Sequence, residues 1–457
     1  MTVRAIAGLA LLNGLYLVAG AGLLWAVRGW RTWLELARLA GLAYLTGVAT
    51  VAALWVLILV AGGSLSIWLL LGAPVGIATV GLLVGRRLGR RAPAFGNLEA
   101  TVSASVAAAG IALTGVFFEA LFRATRLSGL FSWDAWSIWV SKAKAIYFYG
   151  GFDEQFFTSL PNAPYPPLVP TLDAAAFHAM GGPDVVTLHL QFWFLALGFV
   201  WALAGLLSER VPAWILWPSL LMLLVAPRFG PRFAVPEADF LVGFCFVVAA
   251  ILVYLWVEEG ERWRLLMAAV LLCGLVLTKR EGILLAVVLG ASALLVSATS
   301  WRKVWPPLAA VGALVVLVGV PWRIWYVLHG VAGEAPATGL IPAGSEGRLW
   351  PSFRLALEVL FAGGYWSVVV PVALGALLMA ALARRFVPVV FFGSLLVFVT
   401  LGGGWITWAT WAPITAEPSV NPIVRYMGSG VLLAAAATPL LLAGAWRGAD
   451  RLEKERA

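Results

Sequence analysis

Apolar runs of about 20 residues recur from one end of this chain to the other, each long enough to cross a hydrocarbon core roughly 30 Å thick. No polar stretch between them is long enough to bury a core of its own. The runs fall near 5–27, 36–61, 65–85, 98–121, 184–207, 212–225, 238–257, 264–278, 282–299, 306–328, 364–383, 386–402 and 425–446. An all-α polytopic membrane protein with about thirteen transmembrane helices is the expected fold class. Met1 to Val27 has no small-residue cleavage site after its apolar run, so it reads as a first span and not as a removed signal.

Only 12% of residues are charged, yet the net charge is +9. The cations sit in short clusters at run ends: Arg28, Arg31 and Arg38; Arg86, Arg87, Arg90 and Arg91; Arg262 and Arg264; Arg302 and Lys303; Arg384 and Arg385; and the tail from Arg447 to Arg456. These fall on one side of an alternating path, which the positive-inside rule makes cytoplasmic in a plasma (inner) membrane. Membrane lipids, and not nucleic acid, are the expected partners of this charge. The three long loops, 122–183, 329–351 and 403–424, then lie together on the extracytoplasmic face, where function is expected. Cys245 and Cys273 fall inside apolar runs and read as small buried hydrophobes. His178, His189 and His329 share no metal-ligand spacing.

Within the first long loop, Trp133 to Tyr149 can be wound as a helix. At 100° per residue, Asp134, Ser137, Ser141 and Lys144 form one stripe, and Trp133, Trp136, Trp139, Val140 and Ala143 the other. One expectation is an interfacial anchor lying flat, with Lys142 and Lys144 reaching water. The other is chemical: a carboxylate held among tryptophans suits a general base, which makes Asp134 the first candidate for a reactive group. Further on, Tyr165-Pro166-Pro167-Leu168-Val169-Pro170 cannot be helical throughout and must redirect the chain.

Asp134, followed in the same loop by Tyr165-Pro166-Pro167-Leu168, resembles the GT-C glycosyltransferases that use polyprenyl-phosphate sugars, such as protein mannosyltransferases and aminoarabinose transferases. Relatives often carry a phosphate-binding Lys or His where this chain has Tyr165, so Lys142 or Lys144 is expected to take that role. The family usually places its catalytic loop after the first span. Residues 1–97 therefore read as additional N-terminal transmembrane helices, and residues 98–457 as the GT-C-like catalytic domain containing loop 122–183.

Three later sites sit on the same face. Pro231-Arg232-Phe233-Ala234-Val235-Pro236-Glu237-Ala238-Asp239 is similar to the family's second acidic site, with Asp239 the closer match; its alternative role is to complement a helix dipole. Thr278-Lys279-Arg280-Glu281-Gly282 joins two spans against the charge bias, and a lipid phosphate would suit Lys279 and Arg280. Arg425 opens the last span, after Trp405, Trp408 and Trp411, which mark a sugar-stacking surface or the lipid interface. The resemblance thus implies Asp134 and Asp239 as catalytic residues. It implies Lys142, Lys144, Tyr165, Lys279, Arg280 and Arg425 as donor-phosphate binders, and Glu281, His329 and Trp133 as positioning residues. No cofactor or metal is required, although Asp134, Asp153, Glu154 and Asp239 would bind a divalent cation if they converged.

The implied activity is inverting transfer of a sugar from a polyprenyl-phosphate donor to a hydroxyl of a lipid, glycan or protein acceptor in the cell envelope. Two other classes fit the spans: a lipid or lipid-linked sugar flippase, and a scaffold without chemistry. A transporter would place charges near the midplane in related halves, whereas here they cluster at one face and no repeat is visible. A scaffold explains the tryptophans but not the acid and bases.

Overall fold

The computed structural model describes residues 1–95, 102–331, 346–410 and 420–456. Among these residues the regular elements are all helices, apart from an isolated bridge between Thr32 and Ala94. The N-terminal part holds α1 (Val3–Val27), α2 (Trp33–Val60), α3 (Ile67–Arg87) and α4 (Val102–Thr125). The first long loop folds as α5 (Val140–Tyr149), α6 (Glu154–Ser159) and α7 (Leu168–Met180). There follow α8 (Val185–Leu207), α9 (Ala213–Leu224), α10 (Ala238–Glu259), α11 (Arg262–Thr278), α12 (Glu281–Val296) and α13 (Trp301–Leu328). The chain closes with α14 (Leu349–Leu360), α15 (Gly363–Trp366), α16 (Val369–Leu382), α17 (Phe386–Thr410) and α18 (Val420–Arg456).

Among the described residues nine helices are long and apolar enough to cross a membrane: α1, α2, α3, α4, α8, α10, α13, α17 and α18. The other expected spans differ for physical reasons. α9 has 12 residues and α16 has 14, so they rise only roughly 18–21 Å, short of the hydrocarbon core. The run expected at 364–383 breaks at Ser367, whose φ of +54° no helix tolerates. α11 carries Arg262 and Arg264 in its first turn. The run expected at 386–402 continues as helix to Thr410, and an amphipathic helix, α14, lies where no span was read. Residues 96–101, 332–345, 411–419 and 457, which include Trp411, Pro413 and Pro418, lie outside the described residues.

The core sits around α10, whose apolar residues are buried on every side, with α8, α11, α12 and α18 packed about it. Near the N-terminus, α2 packs on α8 and α11, and Gly41 meets the backbone of α8 at Gly198 and Ala202. α1 and α2 cross at Gly20 and Gly47, where a Cβ would lie 1.6 Å from the Ala43 carbonyl oxygen and 1.9 Å from that of Tyr16. Only a residue without a side chain allows that approach, the usual device of helix packing in lipid.

Both ends of the bundle are tied by charge. At one end Arg28 meets Glu35 at 2.5 Å, Arg38 meets Glu209, Arg210 and Arg264 share Glu259, and Arg447 donates to the Arg210 carbonyl at 2.6 Å. The arginine clusters read from alternation therefore gather at a common end. The first long loop and residues 237–239, 279–281 and 425 are at the other.

Candidate functional site

Asp134 stands on the entry turn of the first-loop helix, which begins as expected but not with the expected register. Residues Ala135–Trp139 form a π-helical turn before α5 continues. The wider turn rotates the stripes: Trp133 and Trp136 are exposed, while Ser137, Trp139, Lys142 and Ala143 are all buried. The helix packs on α7, itself buried against α1 and α2. A π turn of this kind frequently marks a functional position, because it re-aims a side chain at the cost of backbone geometry.

Three other elements bring their charges to Asp134. Asp239 lies in the first turn of α10, which Glu237 introduces in extended conformation. Lys279 ends α11 in an extended conformation before Glu281 opens α12. Arg425 lies in the N-terminal part of α18. The Arg425 guanidinium bridges two carboxylates: Nη2 donates to Asp134 Oδ2, and Nε donates to Asp239 Oδ2 at 2.5 Å. Lys279 Nζ donates to Asp239 Oδ1 at 2.9 Å and reaches Glu281 Oε1 at 3.0 Å. The Asp239, Lys279 and Asp134 side chains retain only 9%, 10% and 15% of their exposure, so the network is largely desolvated and its ion pairs are little screened. Burial alone would lower the Lys279 pKa, but Asp239 and Glu281 outweigh it and raise it above the ordinary lysine value.

Beside this network Glu237 is buried and accepts a hydrogen bond from Ser132. Burial, with Asp239 nearby, pushes its carboxyl above the usual carboxylate range. Arg228, Arg232, Glu237, Asp239 and Arg425 enclose a void of about 20 Å³, room for one water. Arg228, whose pKa is lowered by burial and by Arg232, was missed in the sequence reading because it sits in a turn outside any motif. Ser132 was missed as well. So was Asp173 on α7, fully buried with neither carboxylate oxygen hydrogen-bonded and its pKa raised by burial.

The remaining predicted residues fall in a second group. Lys142 is fully buried: its ammonium donates to the Asn162 carbonyl and lies 5.7 Å from the Phe157 ring centre and 5.8 Å from that of Tyr165. The ammonium does not reach water there, because the loop closes over it. Tyr165 stacks on Trp139 at 5.7 Å and carries the exposed Arg280 guanidinium over its face at 5.2 Å. It thus joins the first loop to the α11–α12 turn. Lys144 is exposed on α5. Trp133 packs edge-on to Trp136, outside the ion-pair network. His329 stacks on Trp325 at 4.3 Å, in an aromatic cluster with Phe152, Phe157 and Trp322. Trp408 is buried within α17, a packing position and not a stacking surface.

Set against protein-family models, curated proteins and solved structures, the chain matches none. Its chemistry is argued from the site itself. Asp153 caps α6 by accepting from the Phe156 amide at 2.7 Å and is not part of the network. Among the described residues no three His, Cys, Asp or Glu side chains gather as a metal ion would need. What the network offers is a carboxylate just before a π turn and two largely desolvated cations that an incoming anion could recruit.

An apolar groove of about 590 Å³ leads to this end of the bundle. Small residues on α12 and α13, among them Gly290, Gly312 and Gly319, keep it open, and Pro166, Trp322 and Arg323 close its end near the first loop. From Trp305 to Trp322 it follows roughly 25 Å of helix, the scale of a long hydrocarbon chain.

Proposed function

We propose that the chain is an integral-membrane glycosyltransferase of GT-C type, with α9, α11, α12 and α16 completing its membrane domain. It moves a sugar from a polyprenyl-phosphate donor to an acceptor hydroxyl at the outer face of the plasma membrane, with inversion. The observation that carries the reading is the Arg425 bridge between Asp134 and Asp239, residues far apart in sequence that meet at one end of the bundle. The groove supports it by offering a path for a prenyl chain whose phosphate would emerge near Arg323 and Arg280.

In this mechanism the donor phosphate draws Arg425 and Lys279 away from the carboxylates, exchanging one charge-assisted partner for another. Asp134, so released, takes the proton of the acceptor hydroxyl. The hydroxyl oxygen forms a bond to the anomeric carbon as the bond from that carbon to the phosphate oxygen breaks. The electron pair leaves with the phosphate, whose charge the cations hold. A phosphate leaving group needs no acid, so one carboxylate suffices, unlike the pair used in glycoside hydrolysis. Asp239 keeps the cations in place between turnovers.

The test is sugar transfer from a radiolabelled polyprenyl-phosphate sugar by the purified protein. Asp134→Asn should lower turnover by about 100-fold or more while donor binding persists. Lys279→Met should weaken donor binding about tenfold, the worth of one charge-assisted hydrogen bond. Equal turnover in wild type and Asp134→Asn removes that residue from the reaction. Lipid translocation in proteoliposomes without any sugar transfer would assign the groove to a flippase.

A further inference from the structure

The end of the bundle remote from Asp134 holds a cavity of about 1100 Å³, lined by five arginines, Arg28, Arg31, Arg38, Arg90 and Arg91, and three glutamates, Glu35, Glu209 and Glu261. One wall is a strap after α3, pinned to the α1–α2 turn by backbone bonds: Trp33 donates to the Ala94 carbonyl at 3.1 Å, and Ala94 to that of Arg31 at 2.9 Å. The strap brings Arg90 and Arg91 to a cavity already bordered by Arg28 and Arg31.

The lining is unbalanced in a specific way. All three carboxylates are engaged: Glu35 with Arg28, Glu209 with Arg38, and Glu261 with Arg264 and the Trp263 indole at 2.8 Å. Of the cations, Arg28 and Arg38 are paired, whereas the exposed Arg31 and Arg91 form no ion pair among the described residues and Arg90 donates to the Val27 carbonyl at 3.1 Å. The buried Nε atoms of Arg38 and Arg90 and the Trp30 indole nitrogen have no hydrogen-bond partner. Donors without acceptors therefore surround a space large enough for a ligand. Buried donors are ordinarily satisfied, so such a surplus calls for a molecule rich in acceptor oxygens.

We propose that this cavity binds a phosphate group, through the guanidinium groups of Arg31, Arg90 and Arg91, at a site separate from the one at Asp134. Guanidinium forks match phosphate oxygens two at a time, which suits this lining better than a carboxylate ligand of lower charge. The phosphate belongs to an anionic lipid headgroup or to a soluble phosphorylated molecule.

Two measurements on the purified full-length protein distinguish these sources. One is retention of phosphatidylglycerol over phosphatidylcholine, by mass spectrometry of the intact protein released from mixed nanodiscs. The other is the shift of the thermal midpoint by inorganic pyrophosphate in a neutral detergent. The variants are Arg31→Gln with Arg91→Gln, whose side chains make no ion pair that folding needs, and Arg302→Gln with Lys303→Gln, an equal loss of exposed charge elsewhere. Binding of one probe should fall about tenfold or more in the first double variant and stay unchanged in the second. Selective phosphatidylglycerol retention identifies a headgroup site, and a pyrophosphate shift a soluble ligand. Binding of neither probe, or an equal fall in both double variants, overturns the proposal.

Discussion

Replacing Arg425 with methionine removes the one group that holds Asp134 and Asp239 together. Asp239 loses a donor at 2.5 Å but keeps Lys279 at 2.9 Å, while Asp134 loses its only ion-pair partner among the described residues. Breaking a buried ion pair costs about 3–5 kcal/mol, mostly because a charge is left behind unpaired. With Lys279 still in place the lower end applies, so Arg425→Met should destabilise by about 3 kcal/mol. If the cost is the abandoned charge, then Asp239→Asn made in the Arg425→Met background should return part of it. The double-mutant cycle should give a coupling of about 2 kcal/mol between the two positions. The assay is unfolding in mixed micelles at pH 7, followed by tryptophan fluorescence, on wild type, both single variants and the double. Arg425→Met with Glu119→Gln, whose carboxylate pairs with Arg123 on the surface of α4, is the additive control. Additivity within about 0.5 kcal/mol for Arg425 with Asp239 would refute the bridge as an energetic unit, whatever its effect on turnover.

Glu237 should make stability depend on pH. Its folded-state pKa is raised by burial and by Asp239, so the folded protein holds that proton more tightly than the unfolded chain, in which a glutamate titrates at roughly 4.3. The stability it contributes is present below that value and is lost as pH rises through the raised folded value. Glu237→Gln should therefore flatten the fall of thermal midpoint with rising pH; parallel wild-type and variant curves would show that the carboxyl is not the cause. Lys142→Met should destabilise by about 1–3 kcal/mol, since the Asn162 carbonyl loses its donor, and should quicken proteolysis between α6 and α7 without weakening donor binding. A pure loss of donor affinity would instead return Lys142 to the phosphate site.

The membrane fold was legible because lipid permits few solutions: an apolar run must be helical, and each expected run is helical over most of its described length. Length decided which expected spans stand out as full crossings. A run such as 212–225 satisfies composition yet makes a helix of 12 residues, and Ser367 divides another through a backbone angle that no composition reveals. The site was legible through exceptions to a rule. Lys279 and Arg425 attracted notice as cations on the face where positive charge is disfavoured, and Asp134 as a lone acid among tryptophans. What failed was the assumption of a regular helix from Trp133. One π turn moved Lys142 from the side expected to meet water into the core, and no periodicity of 3.6 could reveal it. Arg228, Ser132 and Asp173 stayed hidden because their environment is made by distant segments.

The sharing of one guanidinium by two acids is itself an argument about how the site works. Asp134 and Asp239 would repel each other across a desolvated gap, and Arg425 between them turns that repulsion into attraction. A phosphate entering the network adds negative charge and competes for the same donors, so it can bind only by taking Arg425, Lys279 or both from the carboxylates. Under the proposed transfer mechanism, donor binding and release of Asp134 would be a single event. The carboxylate would be held by its partner while the site is empty and would become available to an acceptor hydroxyl when the phosphate to be displaced is present. The π turn beneath Asp134 gives that side chain a less regular anchorage than Asp239 has in the first turn of α10, which fits the division of labour between an acid that must change partners and one that must hold them.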